Sequence, residues 1–545
     1  MPQMPLLQIL KEIWCFPGWV EVQFTPLKRR AKPGVPWAVW RTCAALLFAA
    51  VVSSSGAEST DDRPNESNKA LARRQWVEMR SEGFCAYTFG STQRMAMVLA
   101  QLEQFRFAYA QLAGPQTVAS QPIYVYAFES NADFDSFKPI YQGRPSEVSG
   151  YFMRRIDSLI IALALTSNVT NTLRVLFHEY THFLLRKNHH WPLWLSEGMA
   201  DFYSTLELQD DSVVMGQPPP HHLRILADEP LLPLKRLFAV TQQSPEYNER
   251  DKQGVFYAQS WLLTHYLATG DDVARRKRFG TYANLVRDAR DPEGAFVRAM
   301  STTLPAMEKQ LKDYVVQGRF EPLTLKARSK HRISMSQRSL APAETSFLLG
   351  YLLLHVKRED EGREFFEEAL RLGPKAPYGH QGLGLMAVYQ KRSDEAIRHL
   401  EEAKRLGSKS YLVHYWAGLE RLMQLKDPDG SFRQLSPENA SQLNGIRSSL
   451  KESIRLMPRF ALAHYSLGFL ELVQRDNLPS AELHLAEAYR LSPDESRFGL
   501  TLARAYLAQG KQEPARTVLK EISKTAAAGE DKVEATRMLD RMATR

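Results

Sequence analysis

The sequence predicts an α+β domain followed by an all-α solenoid of helical repeats. Its 545 residues exceed what one ordinary hydrophobic core organises. As far as about residue 320, segments with strand patterns come first and segments with helical patterns follow, which is typical of α+β domains. Beyond that point Gly350, Gly384 and Gly418 recur at intervals of 34 residues, a period typical of stacked helix pairs.

The first 57 residues are expected to be a signal peptide or an N-terminal anchor. The apolar run 43–52 follows basic residues and is shorter than the roughly 20 residues that a membrane-spanning helix needs. Small residues at Ser55 and Ala57 favour cleavage after Ala57. The competing interpretation keeps residues 37–52 as an uncleaved membrane tether. Both interpretations predict an exported protein of the periplasm or cell envelope.

Charge and cysteine content exclude two kinds of function and stabilisation. The net charge of +9 is spread along the chain, and no Lys/Arg block alternates with aromatic residues, so we expect no nucleic-acid partner. Two of the three cysteines, Cys15 and Cys43, lie in the leader. Cleavage would leave Cys85 alone, so the cleaved form could have no intrachain disulfide.

The α+β domain is predicted to span residues 70–322, after a polar linker over residues 58–69. Its first elements are indicated by alternating, helical or β-branched patterns. In chain order they are a strand (Trp76–Thr88), a helix (Met95–Tyr109, ending at Gly114-Pro115), a strand (Ile123–Phe128), and a hairpin of two short strands meeting near Ile156-Asp157 (Tyr151–Ala164).

Helices follow the hairpin. The stretch LRVLFHEYTHFLL lies in the first, which is expected to run from residues 170–171 to about Lys187. The second begins after Trp191-Pro-Leu-Trp194, with Ser196 as the candidate N-cap. A later helix passes through Tyr257–Leu267.

The C-terminal third is predicted to be a repeat array over residues 343–545, behind a basic linker at 323–342. The recurring positions hold small residues that allow the two helices of a pair to approach closely. This pattern resembles a tetratricopeptide solenoid of about five units, capped by a helix from about Lys532. An ordinary helical bundle is the alternative, but it does not require a fixed period. The resemblance implies a concave surface for a protein partner.

The motif His178-Glu-Tyr-Thr-His182 suggests a metal site. Residues four apart lie on one helix face, so the two imidazoles can aim at one point. Glu179 is displaced by about 100° around the helix, where it can reach a water at the metal without being a ligand. The alternative is two polar residues that happen to lie on an apolar helix.

Two acids downstream favour the metal site. A zinc centre needs a third protein ligand and an open position, and Glu197 supplies a candidate in Leu195-Ser-Glu-Gly-Met-Ala-Asp201. Asp201 lies four residues later on the same face and could accept the second N–H of a ligating histidine. Acids are also favoured near helix N-termini for electrostatic reasons alone. Their spacing after HEYTH makes zinc the better interpretation.

HEYTH followed by SEGMAD resembles the gluzincin metallopeptidases, and more closely the peptidase-MA-like domains of exported bacterial proteins. The shared features include the hairpin, the Trp-Leu-Ser-Glu-Gly phrase and a Tyr-Ala-Gln-Ser helix at residues 257–260. The resemblance covers about residues 70–320. It implies His178, His182 and Glu197 as Zn²⁺ ligands, Glu179 as the general base that activates a zinc-bound water, and Asp201 as the support of a ligand.

The oxyanion stabiliser and the substrate are less constrained. The resemblance implies a Tyr or His from a later helix, for which Tyr257 is the candidate and His265 the weaker one; Tyr257 and Trp261 could equally be core residues four apart. The hairpin offers a strand edge to an extended peptide. Because no Gly-x-Met-Glu-Asn phrase for a free amine occurs, an endopeptidase is expected. His189-His190 and His221-His222 have loop-like contexts and are interpreted as polar surface residues.

The leading hypothesis is an exported zinc metallopeptidase whose repeats recruit a substrate or partner protein. The alternative is a non-catalytic scaffold in which the repeats bind and the gluzincin-like domain is structural. A lost ligand or general base would favour the scaffold, and none is lost.

Overall fold

A computed structural model of the protein describes residues 21–26 and 69–543. Within that span it leaves out residues 114–122, 142–143, 147, 156–157, 166–168, 187–190, 210–211, 242, 249, 287–290, 327–332, 426–438 and 526–528. The predicted leader therefore lies outside the described residues except for 21–26, and the linker predicted after it lies outside except for Lys69.

A mixed seven-stranded sheet forms the centre of the first domain. Its order is β1-β7-β8-β4-β3-β2-β12, with parallel pairing between β8 and β4 and between β4 and β3, and antiparallel pairing elsewhere. The strands are β1 (Glu21–Pro26), β2 (Val77–Arg80), β3 (Phe84–Thr88), β4 (Ile123–Phe128), β7 (Val148–Arg154), β8 (Leu159–Ala164) and β12 (Ser336–Ser339); β5 (Ile140–Tyr141) and β6 (Arg144–Pro145) form a separate pair.

Both faces of this sheet are covered, which explains why β8 is apolar and buried throughout. On one face, Val125 and Ile161 share a core with helices α1 (Thr92–Ala113) and α3 (Val169–Arg186). The opposite face, with Phe128 and Tyr151, contacts α2 (Asn131–Asp135) and the first repeat helices. The sheet is therefore the middle layer between the HEYTH helix and the repeats.

Helices and a small sheet complete the first domain. Strand β10 lies between β9 and β11 in a three-stranded antiparallel sheet. The bounds are α4 (Leu193–Tyr203), β9 (Glu207–Gln209), β10 (Ser212–Met215), α5 (Pro220–Asp228), α6 (Leu234–Ala239), α7 (Pro245–Asn248), α8 (Arg250–Ala268), α9 (Val273–Val286), α10 (Pro292–Met300), α11 (Leu304–Gln317) and β11 (Leu323–Lys326). Helix α8 packs against α4 and carries the residues of a third core around Trp194 and Trp261.

Successive helix pairs form the C-terminal part, each pair packing on the next. Gly350 faces Phe366 and Gly384 faces Leu400 at distances that leave no room for a side chain, as expected for repeat glycines. The helices are α12 (Pro342–His355) with α13 (Glu359–Leu372), α14 (Tyr378–Tyr389) with α15 (Ser393–Arg405), α16 (Tyr411–Gln424) with α17 (Ala440–Leu456), α18 (Ala461–Gln474) with α19 (Leu478–Leu491), α20 (Ser496–Ala508) with α21 (Gln512–Thr525), and α22 (Glu530–Ala543) last.

The first repeat pair packs directly on the sheet. Phe365 meets Phe137 edge-on at a centroid distance of 6.0 Å. The Arg358 guanidinium donates to the Ser136 carbonyl at 2.7 Å, and the Ser158 and Tyr351 hydroxyls lie 3.3 Å apart. The repeats and the α+β domain consequently share one hydrophobic core.

Two expectations about secondary structure are wrong. The predicted strand Trp76–Thr88 is two antiparallel strands, because a turn between them is closed by the Ser81 N–H donating to the Phe84 carbonyl at 2.9 Å. The predicted linker 323–342 contributes β11 and β12 to the two sheets. Its basic character has a local cause: the Arg338 guanidinium binds the buried Glu78 carboxylate of β2 at 2.9 Å.

The other predicted strands and helices of the α+β domain are present close to their expected bounds. These are α1, β4, the β7–β8 hairpin, α3 and α8, whereas the turn at Ile156-Asp157 lies outside the described residues. Among the helices that the structure describes, none is long and apolar enough to cross a membrane.

Candidate metal centre

Helix α3 holds HEYTH because one side of it is anchored in the core. Phe177 stacks on Phe105 at 4.5 Å, and Tyr180 lies 5.7 Å from the same ring. With this face fixed against α1 and the sheet, His178 and His182 lie on another face, towards α4. The helical 3.6-residue period therefore presents the two imidazoles together.

Three potential ligand atoms converge between α3 and α4. His178 Nε2 and His182 Nε2 are 3.1 Å apart. Glu197 Oε2 lies 3.2 Å from His182 Nε2 and 3.4 Å from His178 Nε2. In the described part of the chain, these residues are the one set of three or more His, Cys, Asp or Glu that could hold a metal ion.

The spacing fits a tetrahedral zinc ion. Zinc bonds of about 2.0–2.1 Å to N and O place tetrahedral ligand atoms about 3.3 Å from one another. The three observed separations lie within a few tenths of an ångström of that value. Glu197 Oε2 is also buried without a hydrogen-bond partner among the described residues, as a carboxylate oxygen reserved for a ligand would be.

Each histidine is oriented through its other nitrogen. His178 Nδ1 lies 2.8 Å from Asp201 Oδ1, and His182 Nδ1 lies 3.1 Å from Ser196 Oγ. A proton on His178 Nδ1 donated to Asp201 leaves the Nε2 lone pair facing the ligand triangle. Asp201 thus has the geometry expected of it, while the contact of Ser196 was not foreseen.

Ser196 is not the N-cap of α4. The helix begins one turn earlier, with Pro192 at the cap position, where the Pro192 carbonyl accepts from the N–H groups of Leu195 and Ser196. The fixed proline φ suits this start. Ser196 therefore lies inside the helix with its hydroxyl directed to His182.

The charges in the cluster support one another. Burial opposes ionisation of Glu197, but the adjacent His182 and His178 outweigh it and lower the pKa of Glu197 to about 2. Against the opposing effect of burial, Asp201 and Glu197 raise the pKa of His178 well above its usual value. Both acids are therefore carboxylates at neutral pH, the form in which carboxyl groups bind metals.

Glu179 and Tyr257 border this cluster. Glu179 follows His178 on α3 and is 5% exposed. Tyr257 lies on α8, the helix packed against α4. Burial, followed by the negative charge of Glu197, raises the pKa of the Tyr257 hydroxyl well above its usual value. Tyr257 thus remains a protonated donor in the electrostatic neighbourhood of the candidate ligands.

His265 does not join the cluster. Its Nδ1 lies 2.9 Å from the Tyr314 hydroxyl and 3.2 Å from that of Thr269. Burial lowers the pKa of His265 to about 4. It is a core histidine, and the alternative that it stabilises an oxyanion finds no support in this position.

Gly198 allows α4 to approach α8 closely. A Cβ atom at this position would lie 2.3 Å from both the Ser260 carbonyl oxygen and Thr264 Oγ1. Such contacts are far shorter than van der Waals distances, so only glycine fits. The Ser-Glu-Gly phrase therefore fixes Glu197 by fixing the helix that carries it.

The histidine pairs outside HEYTH differ from expectation. His189-His190 lie outside the described residues. His221 and His222 lie on helix α5 rather than in a loop, and His222 is buried with its Nε2 2.7 Å from Asp201 Oδ2. The sequence conceals this contact because residues 201 and 222 belong to helices separated by the β9–β10 strands.

Comparisons with known proteins concern the repeats. The tetratricopeptide repeat family matches residues 472–532, and no curated protein matches the chain. YrrB, described as a TPR protein with an unusual peptide-binding site, is 17% identical over 36% of this chain and 92% of its own, with a TM-score of 0.29. PilW, described as a widely conserved type IV pilus biogenesis factor, is 12% identical over 49% and 100%, with a TM-score of 0.28.

A third solved structure, PilF of Pseudomonas aeruginosa, is 16% identical over 37% of this chain and 87% of its own, with a TM-score of 0.29. The family match and the helix pairs confirm the prediction of tetratricopeptide repeats. The resemblance of the α+β domain to gluzincins stays a prediction.

Proposed function

We propose that this protein is an exported zinc-dependent endopeptidase whose tetratricopeptide repeats recruit a substrate or partner protein. The observation that supports it most is the triangle of His178 Nε2, His182 Nε2 and Glu197 Oε2, with sides of 3.1 to 3.4 Å. Structural zinc sites usually have four protein ligands, whereas three leave a position for water or substrate, as in catalytic sites.

The roles of the residues follow from their positions. His178, His182 and Glu197 would hold Zn²⁺, which when bound supplies Lewis acidity and lowers the pKa of water to about 7. Glu179 would accept a proton from the attacking water and return it to the leaving amine. Tyr257, kept protonated by its raised pKa, would donate to the developing oxyanion.

The β7–β8 hairpin would position an extended peptide by strand addition. In the structure the outer edge of β7 is paired with β1, which belongs to the predicted leader. A substrate strand on this edge would therefore require removal of β1, and cleavage after Ala57 would remove it.

Glu179→Gln tests the mechanism. The variant keeps the size and hydrogen-bonding reach of the side chain but cannot accept the proton, so we expect wild-type zinc content and loss of cleavage by at least about 100-fold. Zinc is measured in the purified full chain by elemental analysis. Substrate is sought by comparing protein fragments in cultures that express wild type or variant.

Glu420→Gln is the matched control. Glu420 is a buried glutamate of the repeats, and burial raises its pKa, so an amide should be tolerated there. Its fragment pattern should equal that of wild type. Wild-type protein without zinc, or unchanged fragments with Glu179→Gln, would refute the proposed peptidase.

A non-catalytic scaffold is the second candidate function. The tetratricopeptide match favours it, because such repeats bury their faces only against one another and leave extended surfaces for partners. A scaffold predicts that Glu179→Gln leaves both the fragment pattern and the phenotype of the cells unchanged, while disruption of the repeats alters the phenotype.

A further inference from the structure

His222 extends the hydrogen-bonded chain behind the candidate ligands. Its side chain is 3% exposed, and its Nε2 lies 2.7 Å from Asp201 Oδ2. The other oxygen of the same carboxylate, Oδ1, lies 2.8 Å from His178 Nδ1. Asp201 therefore bridges two imidazoles, one of which faces the metal position and one of which lies behind it on α5.

The direction of these hydrogen bonds can be assigned. An ionised carboxylate only accepts, so both ring nitrogens facing Asp201 must carry protons. The remaining nitrogen of His222, Nδ1, is buried and has no hydrogen-bond partner within the described structure. His222 consequently acts on its surroundings through a single polar contact, the one to Asp201.

We infer that His222 is a positioning residue for the metal centre. By occupying Oδ2, it fixes the rotation of the Asp201 carboxylate, and Oδ1 is then aimed at His178 Nδ1. This holds His178 as the Nδ1–H tautomer with the Nε2 lone pair towards Glu197 and His182. The inference rests on the proposed zinc function for its purpose, but not for the geometry that it uses.

A purely structural role is the competing explanation, and the fold supplies its control. His222 and His265 are both buried and both pack on Trp261, at centroid distances of 6.0 and 4.9 Å. His265, however, directs its Nδ1 to Tyr314 and Thr269. Replacing either histidine disturbs the same tryptophan, whereas only replacement of His222 disturbs Asp201.

Zinc affinity of the full chain separates the two roles. His222→Leu keeps an apolar side chain but removes the donor, and we expect the zinc dissociation constant to rise about 10-fold, at the lower end of the effect of outer hydrogen-bond partners. His222→Gln places an amide N–H near the position of Nε2 and should restore affinity to within about threefold of wild type. His265→Leu should leave zinc affinity unchanged. Competition with a chromophoric chelator gives the constants.

Imidazole ¹⁵N NMR of the zinc-free protein provides a readout independent of metal. His178 should show the Nδ1–H pattern in wild type and shift to a mixture of tautomers in His222→Leu, with the wild-type pattern restored in His222→Gln. An unchanged His178 pattern in His222→Leu overturns the inference even if zinc binds. Equal losses of zinc affinity in His222→Leu and His265→Leu overturn it as well. Failure of wild type to bind zinc refutes the proposed function instead, and the NMR comparison still decides the role of His222.

Discussion

Close histidine pairs occur in both regions of the molecule, with different surroundings. In the α+β domain the nearest nitrogens of His178 and His182 are 3.1 Å apart. In the repeats, the Nδ1 atoms of His380 and His399 are 2.9 Å apart, and those of His464 and His484 are 3.1 Å apart. Each repeat pair joins the two helices of one unit. Distance between imidazoles therefore does not distinguish the candidate metal centre.

Carboxylates make the difference. Asp201 and Glu197 raise the pKa of His178 despite its burial. In the repeats, burial and then the neighbouring His464 lower the pKa of His484 to about 4, and burial and then His380 lower that of His399. Within the described residues, neither repeat pair has a third ligand close enough to form a metal-binding set. The acids on α4 convert proximity into a site that favours a cation.

Removing the acid should therefore have the largest effect. With Glu197→Gln, we expect zinc affinity to fall by more than about 100-fold, beyond the effect of losing an outer partner, because one of three protein ligands is lost. Chelator competition measures the change. In contrast, His399→Gln should leave zinc stoichiometry and affinity unaltered. Equal zinc binding by wild type and Glu197→Gln would place the metal elsewhere.

The position of the acid depends on Gly198, which gives the second prediction. Gly198→Ala places a methyl group 2.3 Å from the Ser260 carbonyl, so α4 must move away from α8. We expect a loss of about 2–3 kcal/mol in the free energy of unfolding and weaker zinc binding, since overpacking of a helix contact costs about this much. Urea denaturation of the zinc-free protein measures the first quantity.

Gly280→Ala is the paired control for that variant. Gly280 lies within helix α9, and a Cβ there would meet no atom within 4 Å. Alanine should stabilise the helix by about 0.5–1 kcal/mol. If Gly198→Ala behaved in the same way, the close approach of α4 and α8 would not be what positions Glu197.

The ligand set could be anticipated from sequence because its residues lie within 20 positions on two consecutive helices. Spacing on α3 places both imidazoles on one face, and a short connection brings Glu197 back towards them. The contact between His222 and Asp201 and the packing of the repeats on the sheet could not be anticipated, because both join segments whose relative placement is set by tertiary packing. The strand at Arg338 was hidden by its charge, which is neutralised by Glu78.

The repeat histidines predict a pH effect of intermediate size. The pKa of His484 is about 4 in the folded chain against an ordinary 6.5, so folding favours its neutral form. That stability is fully present above pH 6.5 and is lost as pH falls towards 4. Solvent screening at this half-buried site reduces the effect to on the order of 1 kcal/mol.

The His484→Gln variant isolates this contribution. Because glutamine does not titrate, the variant should lose less stability than wild type between pH 7.5 and pH 4.5, as measured by urea denaturation at each pH. Acidic groups throughout the chain contribute equally to both proteins, so they cancel in the comparison. Identical losses in the two proteins would show that the repeat pair does not resist protonation.

Ser196→Ala should have the smallest effect and defines how far the support of a ligand can be weakened. Ser196 is a neutral partner of His182 at 3.1 Å, whereas Asp201 is a charged partner of His178 at 2.8 Å. We expect zinc affinity to fall about three- to fivefold, less than the ~10–100-fold typical of outer-partner losses. Ser453→Ala, which removes another buried hydroxyl donor from the repeats, should not change it. A loss as large as that of Asp201→Asn would mean that hydrogen bonding to the ligands matters more than the charge that separates this histidine pair from those of the repeats.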